Sequence, residues 1–143
     1  MLYVINSIAD PYFSLVNQDP VRSNIPFEQR VGPGRSIYLL KEESSPYAIT
    51  CLSFQRDIPK SEDQLFVNNQ DPTVAVFYTI WSIVPGYASL LINTALTHIK
   101  TNNLKIKQFV TLSPKTEMAR KFHIRNGARI YQENETSINY EYQ

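Results

Sequence analysis

Between residues 87 and 103, "YASLLINTALTHIKTNN", apolar side chains fall at positions 88, 91, 92, 95, 96 and 99. That spacing of three and four predicts an amphipathic helix. The segment just before it, "TVAVFYTIWSI" (73–83), is β-branched and aromatic and has no polar face. It predicts a central strand covered on both sides. "VPG" (84–86) separates the two. "SIYLLK" (36–41) and "YAITCLSF" (47–54) are β-rich runs joined by "EESSP", which predicts a hairpin. Further on, "KQFVTLS" (107–113) predicts a strand and "PKTEMARKFHIRNG" (114–127) a short helix. Pro114 suits the first turn of that helix, Glu117 the positive end of its dipole, and Asn126-Gly127 its C-terminal cap. "ARIYQE" (128–133) and "SINYEYQ" (137–143) read as closing strands around an "NET" turn. Near the start, "YFSLVNQ" (12–18) reads as a short strand. "NIPFEQRV" (24–31) is helix-like and is stopped by "GPGR" (32–35). The polar, turn-rich stretch 57–72 reads as a surface connection.

This order implies an α/β (α+β) layer architecture: a mixed β-sheet with helices on its faces, formed by residues 1–143 as a single domain. The strand at 73–83, the helix after it and the strand at 107–113 form a parallel crossover, expected to be right-handed. Ligands in such sheets bind beyond the carboxyl ends of adjacent parallel strands. Here that edge lies near Ser82 to Gly86 and near Ser113.

Composition changes the picture mainly by exclusion. Apolar residues make up 43% and charged residues 19% of 143 residues, which is a globular balance. Formal net charge is +1 with no basic block, so no nucleic-acid partner is expected. The lone Cys51 excludes an internal disulfide and a Cys-built zinc site, and no metal is expected. A reducing, cytoplasmic setting fits. No apolar run is long enough for a membrane helix, and "MLYVINSIADPYF" lacks the features of a signal peptide.

Two side chains stand out at the predicted ligand edge. Ser113 ends one strand, and His123 lies on the helix that follows. Ala119, Phe122, His123 and Asn126 share one helical face, so the imidazole leans toward the sheet with its apolar neighbours. Packing alone accounts for such a histidine, and a Ser-Pro at a strand end commonly caps a helix. On spacing alone that packing reading is the stronger. His98 falls on the polar side of its helix and is expected in solvent. Cys51, Tyr78, Tyr140 and Tyr142 read as strand residues that pack. Glu42, Glu43, Glu62 and Asp63 read as solvated loop carboxylates. "VPGY" offers an anion nest at a helix start, weakened because Pro85 has no N–H to donate.

Taken together, "RVGPGRSIYLL", "TVAVFYTIWS", "FVTLSP", "FHIRNGARI" and "INYEY" give a more specific signal. In this order they resemble the catalytic domain of malonyl-CoA decarboxylases, a branch of the GNAT (acyl-CoA acyltransferase) fold superfamily. The family pattern runs R-L-G-P-x-R-R, F-Y-S-I-S, T-L-S-P, F-H-L-x-N-G-A and N-Y-x-Y, and the likeness spans roughly residues 12 to 142. The resemblance implies a GNAT-like mixed sheet with a splayed central pair of parallel strands. It implies a coenzyme A thioester as substrate, with no covalently bound cofactor. It also implies Ser113 and His123 as the catalytic pair with Tyr142 nearby, and a pyrophosphate turn formed by Val84, Gly86, Tyr87, Ala88 and Ser89. A homo-oligomer is compatible with it. The chain departs from the pattern in several places. Ser113 and His123 are only ten positions apart, where the family has a long helical stretch between them. The family's helical N-terminal domain has no counterpart. Thr79 and Trp81 replace the serines of F-Y-S-I-S, and the glycine-rich G-x-x-G-x-E-L-G turn is reduced to "PGYAS". Three functions stay open: decarboxylation of a malonyl-type acyl-CoA, acyl transfer from CoA to an amine or thiol, and a catalytically silent binding module.

Overall fold

The computed structural model describes residues 1–143. Its strands are β1 (Leu2–Ile5), β2 (Arg35–Glu42), β3 (Ser45–Gln55), β4 (Val74–Ser82), β5 (Gln108–Thr111), β6 (Ser113–Pro114), β7 (Arg129–Glu133) and β8 (Ser137–Tyr142). The α-helices are α1 (Tyr87–Asn102) and α2 (Glu117–Arg125). One mixed sheet runs in the order β1-β2-β3-β4-β5-β8-β6, with β7 added on β8. Only β4 and β5 are parallel, joined through α1.

The central-strand prediction holds because β4 feeds two cores. Ala75 and Phe77 pack with Leu91, Ile92, Ala95, Leu96 and Ile99 of α1. Val74, Val76 and Tyr78 point to the other face, where they meet Ile37, Leu39 and Ile49. Helical elements thus cover both faces, but unequally. Both α-helices pack on one, and the other is closed by Val16, Ile25 and Leu65 from irregular segments with 3-10 turns.

Several local expectations are corrected. Residues 12–18 are not a strand: Phe13–Gln18 is a 3-10 helix. Asp10 starts it, its Oδ1 accepting from Tyr12 N–H (2.8 Å) and its carbonyl from Phe13 N–H (3.0 Å). Such side-chain turns compete successfully with extension. The first strand is instead Leu2–Ile5, paired with β2. The helix-like stretch 24–31 condenses to a 3-10 turn at Phe27–Arg30. The strand expected over 107–113 is interrupted at Leu112, between β5 and β6. Pro114 lies in β6 rather than in a helical first turn, and Thr116 is the N-cap of α2, its side chain accepting from Ala119 N–H. His98 is half-buried rather than solvated, with its ring edge-on to Tyr38 at 5.4 Å.

The C-terminus of α2 is as predicted. Gly127 takes φ +97°, Gly127 N–H bonds Ile124 O (3.1 Å) and Ala128 N–H bonds His123 O (3.0 Å). This is the paired bonding of a Schellman cap, and it needs a residue at ease in the left-handed region. It fixes the backbone of His123.

Candidate functional site

The site forms where β4 and β5 stop pairing. Their ladder runs from Val74↔Gln108 to Phe77↔Thr111. The β3–β4 register passes from Cys51↔Thr79 to Leu52↔Phe77, so Tyr78 is an unopposed bulge residue. A bulge bends its strand and ends regular pairing. Beyond it β4 continues to Ser82 while the partner chain turns through Leu112 into β6. The gap opens a cleft of about 550 Å³. Phe77 to Ser82 form one wall, Leu112 to Pro114 another, Thr116 with Met118, Ala119, Phe122 and His123 of α2 a third, and Pro20 and Val21 close the rim. No Asp, Glu, Lys or Arg lines it.

Ser113 and His123 line its floor and Tyr142 lies behind the imidazole, each about 4% exposed. Ser113 Oγ lies 3.2 Å from His123 Nε2, and His123 Nδ1 lies 2.7 Å from Tyr142 Oη. Ser113 Oγ also lies 2.8 Å from Thr111 Oγ1, which accepts from Tyr140 N–H at 3.0 Å. One direction of donation satisfies the whole set: Tyr142 O–H to Nδ1, Nε2–H to Ser113 Oγ, and Ser113 O–H to Thr111 Oγ1. The imidazole stacks on Tyr140 (4.9 Å between centroids) with Phe122 and Tyr142 edge-on. Thr111 was not among the residues singled out in the sequence. The signal for it was present, since residues two apart on a strand share a face.

Burial lowers the His123 pKa from 6.5 to about 4, because no counter-charge offsets desolvation. Burial pushes the Tyr142 phenol up. The hydrogen-bonded set is therefore neutral from weakly acid pH upward. Above pH 6.5 the imidazole is neutral in both folded and unfolded chains. Between pH 6.5 and about 4 the unfolded chain binds a proton that the folded chain refuses, so stability falls as pH falls. We expect a loss of about 3 kcal/mol across that window, read as a drop in urea midpoint that His123→Gln flattens.

Of the residues expected at the pyrophosphate turn, only Ala88 lines the cleft. Val84 and Gly86 sit in an exposed turn, and Tyr87 packs on Tyr47 (4.6 Å). Gly86, at φ +91°, precedes α1 with open space around it. Two donors at the helix start are already engaged: Tyr87 N–H with Val84 O, and Ala88 N–H with Ser82 Oγ at 3.0 Å. Ser113 is no helix cap, since Thr116 fills that role.

A second buried group underlies the cleft and was not legible beforehand. Arg30, fully buried, pairs with Asp19 at 2.5 Å. Asp19 Oδ1 accepts from Thr79 Oγ1 (2.9 Å), Val21 N–H (2.7 Å) and Arg22 N–H (3.0 Å). No run of charge or spacing marks Asp19 and Arg30 as partners.

A mixed sheet, a bulged central strand splayed from its parallel neighbour and a cleft at the splay together make up a GNAT fold. The solved structures agree. Malonyl-CoA decarboxylase from Agrobacterium vitis aligns over 89% of this chain with a TM-score of 0.68 and 21% identity. This chain spans 36% of that protein's length. The loading GNATL domain of CurA from Lyngbya majuscula aligns over 100% of this chain and 98% of its own, with TM-score 0.71 and 12% identity. The N-acetyltransferase PseH of Campylobacter jejuni, in complex with acetyl coenzyme A, aligns over 100% and 99%, with TM-score 0.65 and 12% identity. A scan against protein-family models finds no match, and a search of curated proteins finds none either. The chain shares this fold with those solved structures at low sequence identity. No helix is long and apolar enough to cross a membrane.

Proposed function

We propose that this protein is a CoA-thioester-using enzyme whose reaction is decarboxylation of a malonyl-type acyl-CoA. One observation carries the reading: a neutral Ser113–His123–Tyr142 relay ends at the floor of a cleft with no charged lining. A carboxylate brought there loses water and gains hydrogen bonds but no counterion. Release as neutral carbon dioxide relieves that cost. The electrons of the breaking bond pass to the thioester as an enolate. Thr79 O accepts from Thr50 Oγ1 at 2.8 Å on the β3 side. Because the peptides are trans, the N–H of Ile80 points the other way, toward the cleft that Ile80 helps line. That donor suits the enolate oxygen. The enolate carbon then takes the Ser113 proton. Ser113 is recharged from Nε2 and Nδ1 from Tyr142, and water restores the last proton. The pyrophosphate of CoA would lie against the remaining N–H groups at Gly86–Ser89, where the α1 dipole favours anions.

Acyl transfer to an amine or thiol is the second reading. It is favoured by the end-to-end match to the CurA loading domain and to PseH, against 36% of the Agrobacterium vitis decarboxylase. The test is carbon dioxide release from malonyl-CoA with no acceptor present, beside calorimetric titration with CoA and malonyl-CoA. Acceptor-free release supports decarboxylation. Binding without release, with free CoA appearing only when an amine is added, supports transfer. No binding of either ligand overturns both readings and leaves a silent module.

A further inference from the structure

Where the β4–β5 ladder ends, the last cross-strand bond is Leu112 N–H to Phe77 O at 2.9 Å. The next two carbonyls, Tyr78 O on one strand and Leu112 O on the other, both accept from a single guanidinium. Arg22 Nε reaches Tyr78 O at 3.1 Å and Nη2 reaches Leu112 O at 2.7 Å. Its third corner, Nη1, pairs with Glu62 Oε2 at 3.1 Å. The Arg22 backbone is held as well: its N–H donates to Asp19 Oδ1, and its carbonyl accepts from Arg30 Nη2 at 2.6 Å. The side chain is 11% exposed, and Arg22 itself does not line the cleft. The two residues before it, Pro20 and Val21, do.

We propose that Arg22 is a positioning residue that props β4 and β5 apart, and that the width it imposes selects the size of the acyl group. The inference rests on the acyl-thioester reading of the cleft. A planar guanidinium presents rigidly arranged donors and can bridge two carbonyls on separate strands. Lysine is a point donor on a flexible stem and cannot hold both at a fixed separation. Without the fork, two buried carbonyls lack donors and cannot satisfy each other; Leu112 O regains a protein donor by approaching the Ile80 N–H of β4, which draws the strands together. Closure moves Leu112 toward Tyr78 and draws in the Pro20–Val21 rim. The acyl end of the cleft narrows, while the CoA-facing start of α1, on a different element, is left as it was.

The test compares wild type with Arg22→Lys and, because Arg22 is well buried, with the milder Glu62→Gln. Titrations use free CoA, acetyl-CoA, butyryl-CoA and hexanoyl-CoA. We expect free CoA to bind all three proteins alike. Arg22→Lys should lose about tenfold in affinity for hexanoyl-CoA relative to acetyl-CoA, the scale set by apolar pocket fit. Glu62→Gln should shift the same ratio in the same direction by a smaller factor. Trp81 lines the cleft and is the only tryptophan, so acrylamide quenching reports cleft opening without any ligand. It should fall in Arg22→Lys. Unchanged quenching and an unchanged chain-length ratio in folded Arg22→Lys would overturn the proposal. If that variant does not fold, the same two results in Glu62→Gln overturn it. If wild type binds no CoA species, the acyl-thioester reading fails, and quenching alone still decides whether Arg22 holds the strands open.

Discussion

His123→Ala is expected to lower acceptor-free carbon dioxide release from malonyl-CoA by about a hundred- to ten-thousand-fold, the range for loss of a positioned proton-transfer group. Affinity for free CoA should hold, because the proposed mechanism sets His123 against the acyl group and the pyrophosphate at the start of α1. The sharper expectation concerns pairs. In the proposed mechanism Ser113 and His123, 3.2 Å apart, share one proton path. Groups that act as a unit are grossly non-additive, so Ser113→Ala combined with His123→Ala should cost no more than the worse single change. Tyr142→Phe removes the donor to Nδ1 and should leave partial activity, since Nε2 and Ser113 remain. Rate against pH adds an independent check. With the imidazole pKa near 4, turnover should show no acid limb around pH 6.5. Losses that multiply across the double variant, or a limb near 6.5, would show that the three side chains do not share a relay. His123→Gln guards against a packing artefact, as the ring sits between Phe122 and Tyr140.

Much of this site could be read from the chain because it follows from short-range periodicity. The sequence sets Ser113 at the edge where the 107–113 run stops, although the fold breaks that run at Leu112 and Ser113 opens β6, and His123 shares a helical face with Ala119 and Phe122. The fold delivers both to one floor. Gly127 was legible for the same reason: its left-handed backbone is a local need. What escaped the sequence is set by distant partners. Residues 12–18 look extended until Asp10 takes Tyr12 N–H on its side chain and Phe13 N–H on its carbonyl, while Tyr3 Oη donates to its other carboxylate oxygen. Leu112 carries the pattern of an unbroken strand, yet the Tyr78 bulge, visible only in register, ends the parallel pairing beside it. The anion nest at "VPGY" was read from backbone chemistry alone. Its Val84 and Tyr87 N–H groups already bond Tyr47 O and Val84 O, and the next donor, Ala88 N–H, bonds Ser82 Oγ. Arg22, Asp19 and Arg30 sit in segments with no periodicity, so nothing in the one-dimensional pattern points to their meeting under the cleft.

That buried cluster carries the largest expected effect on stability. Asp19 and Arg30 have side chains 1% and 0% exposed and form an ion pair at 2.5 Å. Their attraction competes with the cost of removing both charges from water, and such a pair replaced as a unit by apolar groups is often near neutral. Removing one partner is different, because the other charge stays buried and uncompensated. Asp19→Ala is therefore expected to cost about 3–5 kcal/mol, a large share of the 5–15 kcal/mol typical of a folded domain. The aspartate also accepts from Thr79 Oγ1, Val21 N–H and Arg22 N–H, so its loss frees the segment that forms the cleft rim. The double variant Asp19→Leu with Arg30→Met removes both charges and should recover a substantial part of the loss, while the rim N–H groups stay without an acceptor. Urea unfolding at neutral pH measures all three proteins. A double variant no more stable than Asp19→Ala would mean that the N–H bonds to Asp19, not the charge on Arg30, dominate the energetics of this cluster. A full return to wild-type stability would mean the reverse, and would leave cleft geometry as the one property the aspartate still controls.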